Sequence, residues 1–364
     1  MKDKRIIAIH LPQFHPFKEN DEWWGKGFTE WRNVAKARPR FKGHYQPHIP
    51  ADLGFYDLRL SETREEQAQM AKEYAIDGFC YYHYWFNGHQ LMERPIKEIL
   101  ESGRPNFPFM LCWANENWTR AWDGGEKEIL IEQTYSEEDD INHINYLLDN
   151  VFSDSRYIRV DGKPVFVIYR STLFPDINKT IKIWREEAAK RNIELYLCRM
   201  ESFEECGKKY LGNFDASIEF QPHYKNTKSL YSNIFTKIEN KIRQLLRMRT
   251  KSVIIDYAKY IEKEKDSFKV DYKMYPCITP MWDNSARRVN KEFFALTNST
   301  PNLYGKWLTN ILKKFKPFSK DENFIFINAW NEWAEGNHLE PDMKWGRKYL
   351  EISKEIINLY NNIN

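Results

Sequence analysis

Apolar residues gather in eight short runs, each followed by polar and aromatic residues and then by a stretch with helical spacing. The runs are Arg5–Ile9, Phe79–Tyr84, Phe107–Trp113, Val165–Tyr169, Ile193–Cys198, Ala216–Phe220, Tyr275–Trp282 and Phe324–Ile327. All are four to eight residues long, too short for a buried helix and bounded by turn residues, so each predicts a buried strand. Between them the spacing predicts helices over 61–75 (SETREEQAQMAKEYA, with Ser61 as N-cap), Leu91–Glu101, Glu137–Asn150, Ile177–Arg191, Leu303–Phe315 and Trp345–Tyr360. A shorter helix is expected at Ser202–Leu211. Strict alternation implies parallel strands joined by right-handed crossovers. Eight such units, with no domain-sized break, predict an α/β fold: a single-domain (β/α)8 TIM barrel over 1–364 with long βα loops. An open doubly wound sheet is the alternative, but it would carry a glycine-rich phosphate turn after the first strand. Here that turn is His10-Leu-Pro-Gln-Phe, without glycine.

Two segments interrupt the rhythm. Residues 14–60 form a long loop rich in Trp, Gly, Pro and His, too aromatic for disorder and long enough to expect function. Residues 225–251 carry eight Lys/Arg against one acid, Glu239, with Ile234, Ile238 and Ile242 on one helical face. This reads as a basic helical insertion at about 225–270. A solvated helix packed on the barrel is the simpler account. The alternative is peripheral contact with an anionic membrane.

Composition narrows the field. A net charge of +3 gives no pull toward nucleic acid. No run of 18 apolar residues exists to span a bilayer, and the apolar start of MKDKRIIAIHLPQF is too short for a secretory leader. Of five cysteines, Cys80, Cys112, Cys198 and Cys277 lie inside apolar runs, so a reducing, cytoplasmic setting is expected. Thirteen Trp, clustered beside polar residues, exceed what packing needs. Such rings stack on the flat faces of sugars.

In a parallel barrel, residues just past each strand converge on one face. That rule gathers His10 and Gln13; His83, Tyr84 and Trp85; Trp113, Asn115, Glu116 and Trp118; Arg170; Arg199; Glu219 and His223; Trp282 and Asp283; and Trp330, Asn331, Glu332 and Glu335. Trp113, Trp118, Trp282 and Trp330 are the stacking candidates. The set lacks a phosphate cradle, a GxSxG turn and a Cys/His dyad. It suits an oligosaccharide or polysaccharide. His10, His15, His44, His48 and His83 show no metal-ligand spacing, so neither metal nor cofactor is expected. Glu30 and Asp52 read as ordinary caps. Glu116, between two amides, reads as a hydroxyl acceptor.

Glu332 and Glu335 are the candidate acid and base. On a helical turn, residues three apart lie about 5–6 Å apart at Cβ. Carboxyls that close perturb each other, so one keeps its proton near neutrality, as glycoside cleavage requires. A surface loop whose acids cap a turn is the plainer account.

The segment LPQFHPFKENDEWWGKGFTEWRNVAKARPRFKGHYQPHIPADLGFYDLR, the strand DGFCYYHYWF, LCWANENWTRAWDG and NAWNEWAEGNHLEP resemble the WbsX family, encoded among bacterial O-antigen and capsule genes. That family is in turn similar to glycoside hydrolase family 99, the endo-acting α-mannosidases and α-mannanases with a (β/α)8 barrel. The second likeness rests on WNEWxEG and the following EP. It implies Glu332 as general base and Glu335 as general acid/base. It also implies retention through a 1,2-anhydro sugar in which the substrate's 2-hydroxyl is the internal nucleophile. Two features depart from the hydrolases: Ala334 stands where the mannosidases often carry His, and the first strand ends in His-Leu-Pro-Gln-Phe. A glycosyltransferase or transglycosylase is the alternative, although no DxD-type motif is present. A non-catalytic glycan-binding protein is the second.

Overall fold

The computed structural model describes residues 3–120, 125–203, 205–223, 227, 230, 252–288 and 291–363. The loop residues Trp122 and Asp123, and all but two positions of the basic segment 225–251, lie outside them. Among the described residues, nine parallel strands form the barrel: β1 (Arg5–His10), β2 (Gly78–Phe86), β3 (Phe109–Trp113), β4 (Lys163–Ile168), β5 (Tyr196–Glu201), β6 (Ala216–Glu219), β7 (Met274–Tyr275), β8 (Cys277–Ile278) and β9 (Phe324–Ile327). Their order is β7-β6-β5-β4-β3-β2-β1-β9-β8. In register, Ile7 of β1 faces Gly78 of β2, and Arg5 faces Phe324 of β9.

The predicted seventh strand is split in two. β7 pairs with β6 (Ser217 opposite Met274) and β8 pairs with β9 (Cys277 opposite Phe326). Pro276 lies between them and has no N–H to give a ladder. Its carbonyl still accepts from the Phe326 amide at 2.8 Å, while the Cys277 amide donates to the Glu219 carboxyl at 3.1 Å. Together the two halves act as one stave and close the barrel in eight staves. Glu219 is therefore committed to the wall. Burial pushes its carboxyl up to about 8, and it does not line the central cavity.

Helices α1 (Lys18–Trp24) and α2 (Trp31–Lys36) sit in the long first loop. The outer layer is α3 (Ser61–Glu73), α4 (Arg94–Ser102), α5 (Glu137–Asn150), α6 (Ile177–Ala189), α7 (Tyr257–Glu264), α8 (Pro301–Lys314) and α9 (Lys348–Ile363). Starts follow local chemistry. Ser136 accepts from the Asp139 amide ahead of four consecutive acids, and Thr300 accepts from the Leu303 amide ahead of Pro301. Ser61 is not a cap: Leu60 holds that position and the Ser61 hydroxyl turns to Glu62. Leu91 belongs to a strand, His89–Leu91, folded back on Tyr84–Phe86, which delays α4 to Arg94. Among the described residues of Ser202–Leu211, a 3-10 turn at Lys208–Tyr210 stands in place of a helix. Gly78 opens β2 because a Cβ there would lie 2.9 Å from the Pro108 carbonyl oxygen. Four cysteines are buried and Cys206 is half-buried. Among the described residues, no helix is long and apolar enough to cross a membrane.

Candidate active site

The chain leaves β9 at Ile327 and makes a hairpin over the barrel. Asn331–Glu332 pairs antiparallel with Asn337–His338, around a 3-10 turn at Trp333–Glu335. In such a turn side chains three apart eclipse, so Glu332 and Glu335 reach the same wall. Gly336 closes the turn at φ 53°, and a Cβ there would meet the Asp283 backbone oxygen at 2.9 Å. Trp333, between the two glutamates, is locked behind them. Its Nε1 donates to Glu340 at 2.6 Å, and its ring stacks on His338 at 3.7 Å. Glu340 also receives Gln67 at 2.6 Å and the Tyr56 hydroxyl at 2.9 Å.

One arginine organises the carboxyls. Arg287 holds Glu30 through two bonds of 2.7 and 2.6 Å, reaches Glu332 at 3.1 Å and reaches Glu335 at 2.6 Å. Burial raises the carboxyls of both Glu332 and Glu335 above their ordinary range, and Arg287 pulls them back. Glu30 and Glu332 are buried and Glu335 is partly exposed, and Arg288 adds its pull on Glu335 to that of Arg287. Arg287 carries no signal in the sequence that marks it as a site residue. Glu30 reads as a cap and does hold the N-cap position of α2, but its side chain makes no cap bond; it is 0 % exposed and pairs with Arg287 beside Glu332 and Glu335. Asp52 does act structurally, pairing with Arg347 at 2.6 Å.

The glutamates face a cavity of about 600 Å³. Of the sequence candidates, Gln13, Tyr84, Glu116, Trp118 and Trp282 also line it. Tyr82, Tyr169, Phe203, Phe220, Phe293, Phe294 and Asn328 complete much of its wall. A small sheet of Val253–Asp256, Phe294–Thr297 and Trp282–Asp283 supplies part of that rim.

Other candidates lie elsewhere, and strand parity explains most of them. β2 runs through Phe86 and β3 through Trp113, so His83, Trp85 and Trp113 are strand residues of the outward parity. Tyr82, Tyr84 and Ala114 take the inward one. His83 meets His143 of α5 at 3.0 Å, Trp85 donates to Asp139 at 2.8 Å, and Trp113 packs on His143 and Trp184. His10 is buried against Phe79 and Tyr81 and bonds Gln67 at 3.2 Å; burial lowers its imidazole to about 3, so it stays neutral. Trp330 packs fully buried against Phe79.

Asn331 and Asn115 are clamps. Asn331 bonds both the amide and carbonyl of Leu11 at 2.8 and 3.0 Å, and Asn115 does the same for Arg170 at 2.8 Å each. Asp283 accepts from His44 at 2.5 Å and Gln46 at 2.8 Å. Arg170 bridges Glu116 and Glu205, and Arg199 is fully buried against Glu201. Burial raises the Glu116 carboxyl against the pull of Arg170. His223 meets Cys206 Sγ at 3.1 Å, a Cys/His contact that no spacing announced. Neither Asp283 nor His223 lines the cavity.

Among the described residues, His48, His338 and Asp342 bring three possible metal-ligand atoms together. Hydrogen bonds already account for the two imidazoles. His338 Nδ1 donates to the Glu340 carbonyl at 2.9 Å, so its Nε2 accepts from His48 Nδ1 at 2.9 Å.

Barrel, hairpin and carboxyl-lined cavity together define a (β/α)8 protein with an aromatic, acid-lined cavity under its last hairpin. Its fold is similar to that of the glycoside hydrolase family 99 endo-α-mannosidase from Bacteroides thetaiotaomicron, with a TM-score of 0.59 and 12 % identity over 100 % of this chain and 99 % of that one. A solved glycoside hydrolase-like protein superposes with a TM-score of 0.57 and 15 % identity, over 98 % of this chain and 94 % of the other. The chain belongs to the WbsX family, whose model, described as glycosyltransferase WbsX, matches residues 6–353. It is 38 % identical over 354 residues to the uncharacterised protein WxcX of two Xanthomonas campestris pv. campestris strains. That match takes in 97 % of this chain and 49 % of WxcX, so the chain spans about half the length of these relatives.

Proposed function

We propose that this protein is a retaining, endo-acting glycoside hydrolase that cleaves a glycosidic bond in a bacterial polysaccharide of the O-antigen or capsule type. The observation that carries the reading is the carboxyl pair on the cavity wall: Glu332, buried, and Glu335, partly exposed, beside one arginine that Glu30 already engages. Burial raises both carboxyls against the pull of Arg287, which suits acid/base work. The aromatic wall supports a sugar ligand, since Trp118, Trp282 and the tyrosines offer flat apolar faces. Endo action and the roles of the two glutamates are carried over from the family 99 resemblance.

The steps are as follows. Glu332 takes the proton of the sugar's 2-hydroxyl, and that oxygen closes on the anomeric carbon. The bond to the leaving oxygen breaks as Glu335 protonates it, giving a 1,2-anhydro sugar. Glu335 then deprotonates water, the water oxygen attacks the anomeric carbon, and the ring-opened O2 recovers its proton from Glu332. Two inversions give net retention. No cofactor takes part. The proposed setting is the cytoplasm.

The family description favours a second reading, in which an acceptor sugar replaces water and the same carboxyls catalyse transfer. Incubation with O-antigen and capsule repeat oligosaccharides, followed by mass spectrometry, tests both. Shorter fragments with a free reducing end support hydrolysis; lengthened products support transfer. Glu335→Gln should lower turnover at least a hundredfold. Unchanged cleavage by Glu335→Gln overturns the mechanism.

A further inference from the structure

We propose that Glu340 is a positioning residue: by holding the indole of Trp333 it fixes the turn that carries Glu332 and Glu335, and so sets how closely both approach Arg287. The proposal rests on the acid/base reading above. It adds a carboxyl that acts on the pair from behind, outside the cavity lining.

Glu340 is buried, and three neutral side chains converge on it. Trp333 Nε1 and the Tyr56 hydroxyl donate to its Oε2 at 2.6 and 2.9 Å, and Gln67 Nε2 donates to its Oε1 at 2.6 Å. An indole N–H can only donate, and so can an amide NH2. Donors arriving on both sides call for a group that accepts on both, which is a carboxylate. Holding one here is costly, because a buried carboxylate without a cation is disfavoured. Burial accordingly raises the Glu340 carboxyl to about 7, against the pull of its donors. The proposed mechanism makes no direct use of this acid, so its place needs another account.

Its three donors lead to the flanks of the Arg287 cluster. Trp333 opens the 3-10 turn that ends at Glu335, and Glu332 directly precedes it. Its ring stacks on His338 of the returning strand and packs on Trp31 at 5.5 Å. The Tyr56 hydroxyl accepts from Asn331 Nδ2 at 3.1 Å, and the Tyr56 carbonyl accepts from the Trp31 indole at 2.8 Å. Trp31 follows Glu30 in the chain. Gln67 anchors the whole to α3 and meets His10, the last residue of β1, at 3.2 Å. Glu340 therefore ties down the hairpin arm, through Asn331 and Trp333, and the loop arm, through Trp31. The lever is short: a turn of the Trp333 backbone moves both neighbouring carboxyls. Glu335 and Glu332 meet Arg287 at 2.6 and 3.1 Å, and a misplacement of about 1 Å can cost roughly a hundredfold in rate.

Trp333→Phe keeps a ring and loses the N–H, Glu340→Ala loses both acceptor oxygens, and Glu340→Gln keeps one oxygen for Trp333. The readout is the titration of the Glu332 and Glu335 carboxyl carbons, followed by NMR on protein carrying 13C-labelled glutamate and assigned with Glu332→Gln and Glu335→Gln. A close guanidinium lowers a carboxyl by roughly 1–3 pH units, so loosening the pair from Arg287 should raise the Glu335 midpoint by about half a pH unit or more. Trp333→Phe and Glu340→Ala should each do this. Their double variant should move the midpoint no further than the larger single change, because both break one bond. Glu340→Gln should stay near the wild type. Unmoved midpoints in Trp333→Phe and Glu340→Ala, whatever the Tm, assign Glu340 to stability alone and overturn the proposal. A lowered midpoint in both Glu340 variants marks the loss of a distant like charge and overturns it as well. Should Glu340→Ala fail to fold, Trp333→Phe decides: a raised midpoint supports the proposal, and an unmoved one overturns it. These titrations need no substrate, so absence of cleavage in the oligosaccharide screen overturns the hydrolase reading alone.

Discussion

Arg287→Met should be the most destabilising single change in the cavity wall, and its effect should depend on pH. The guanidinium is only 15 % exposed and contacts Glu30, Glu332 and Glu335. Its removal leaves two buried carboxyls and the partly exposed Glu335 with no counter-charge in that contact. Breaking a buried ion pair from one side costs about 3–5 kcal/mol, and that is the deficit expected near pH 8. The sign follows from Glu332 and Glu335, whose carboxyls burial already raises. Without Arg287 they rise further, so the folded variant binds protons that the unfolded chain does not. Stability is then lost as pH rises through the raised folded values and recovered as pH falls toward the ordinary carboxylate range. Urea unfolding followed by tryptophan fluorescence at about pH 8 and about pH 5 reads the difference directly. The deficit should shrink markedly at the lower pH. Adding Glu30→Gln to Arg287→Met should restore part of the loss, since an uncompensated charge is removed. A deficit below about 1 kcal/mol, or one that is the same at both pH values, would refute the view that Arg287 neutralises this cluster.

Glu219→Gln should flatten the pH dependence of stability. Burial pushes the Glu219 carboxyl up to about 8, so the wild type loses stability as pH rises from the ordinary carboxylate range through that value. The wild-type Tm should therefore fall more between pH 5 and pH 8 than that of the variant, and equal falls would remove the assignment. Trp85→Phe loses the bond to Asp139 and should cost about 1–3 kcal/mol in urea unfolding while leaving turnover in the oligosaccharide screen unchanged; lowered turnover would return Trp85 to the cavity. Ser136→Ala removes the cap of α5 and should cost about 1 kcal/mol, with wild-type turnover.

The barrel was legible because buried parallel strands are continuous apolar runs whatever surrounds them. The position of the Glu332 and Glu335 hairpin was legible because it directly follows the last such run. Parity was harder to read. Where β2 ends decides whether His83 or Tyr84 faces inward, and the sequence offers no stop before Phe86. The split at Pro276 could have been anticipated from the proline itself. Arg287 and Glu30 could not: they are separated by 257 positions, and each sits in a loop with the ordinary look of a surface charge. Pairings of that range are fixed by the closed barrel, not by local spacing.

The stitching of the N-terminal loops to segments far later in the chain also has a consequence for the order of events during folding. Glu30, Leu11, Ile49 and Ala51 find their partners in Arg287, Asn331, Met343 and Pro341. When the first loop leaves the ribosome, none of those partners has been made. Its buried polar groups must stay hydrated until β9 inserts beside β1, so the cavity assembles in the same late, long-range step that seals the barrel. Synthesis that stops before β9 therefore leaves a chain without Glu332 and Glu335, and with an open strand edge exposed to aggregation.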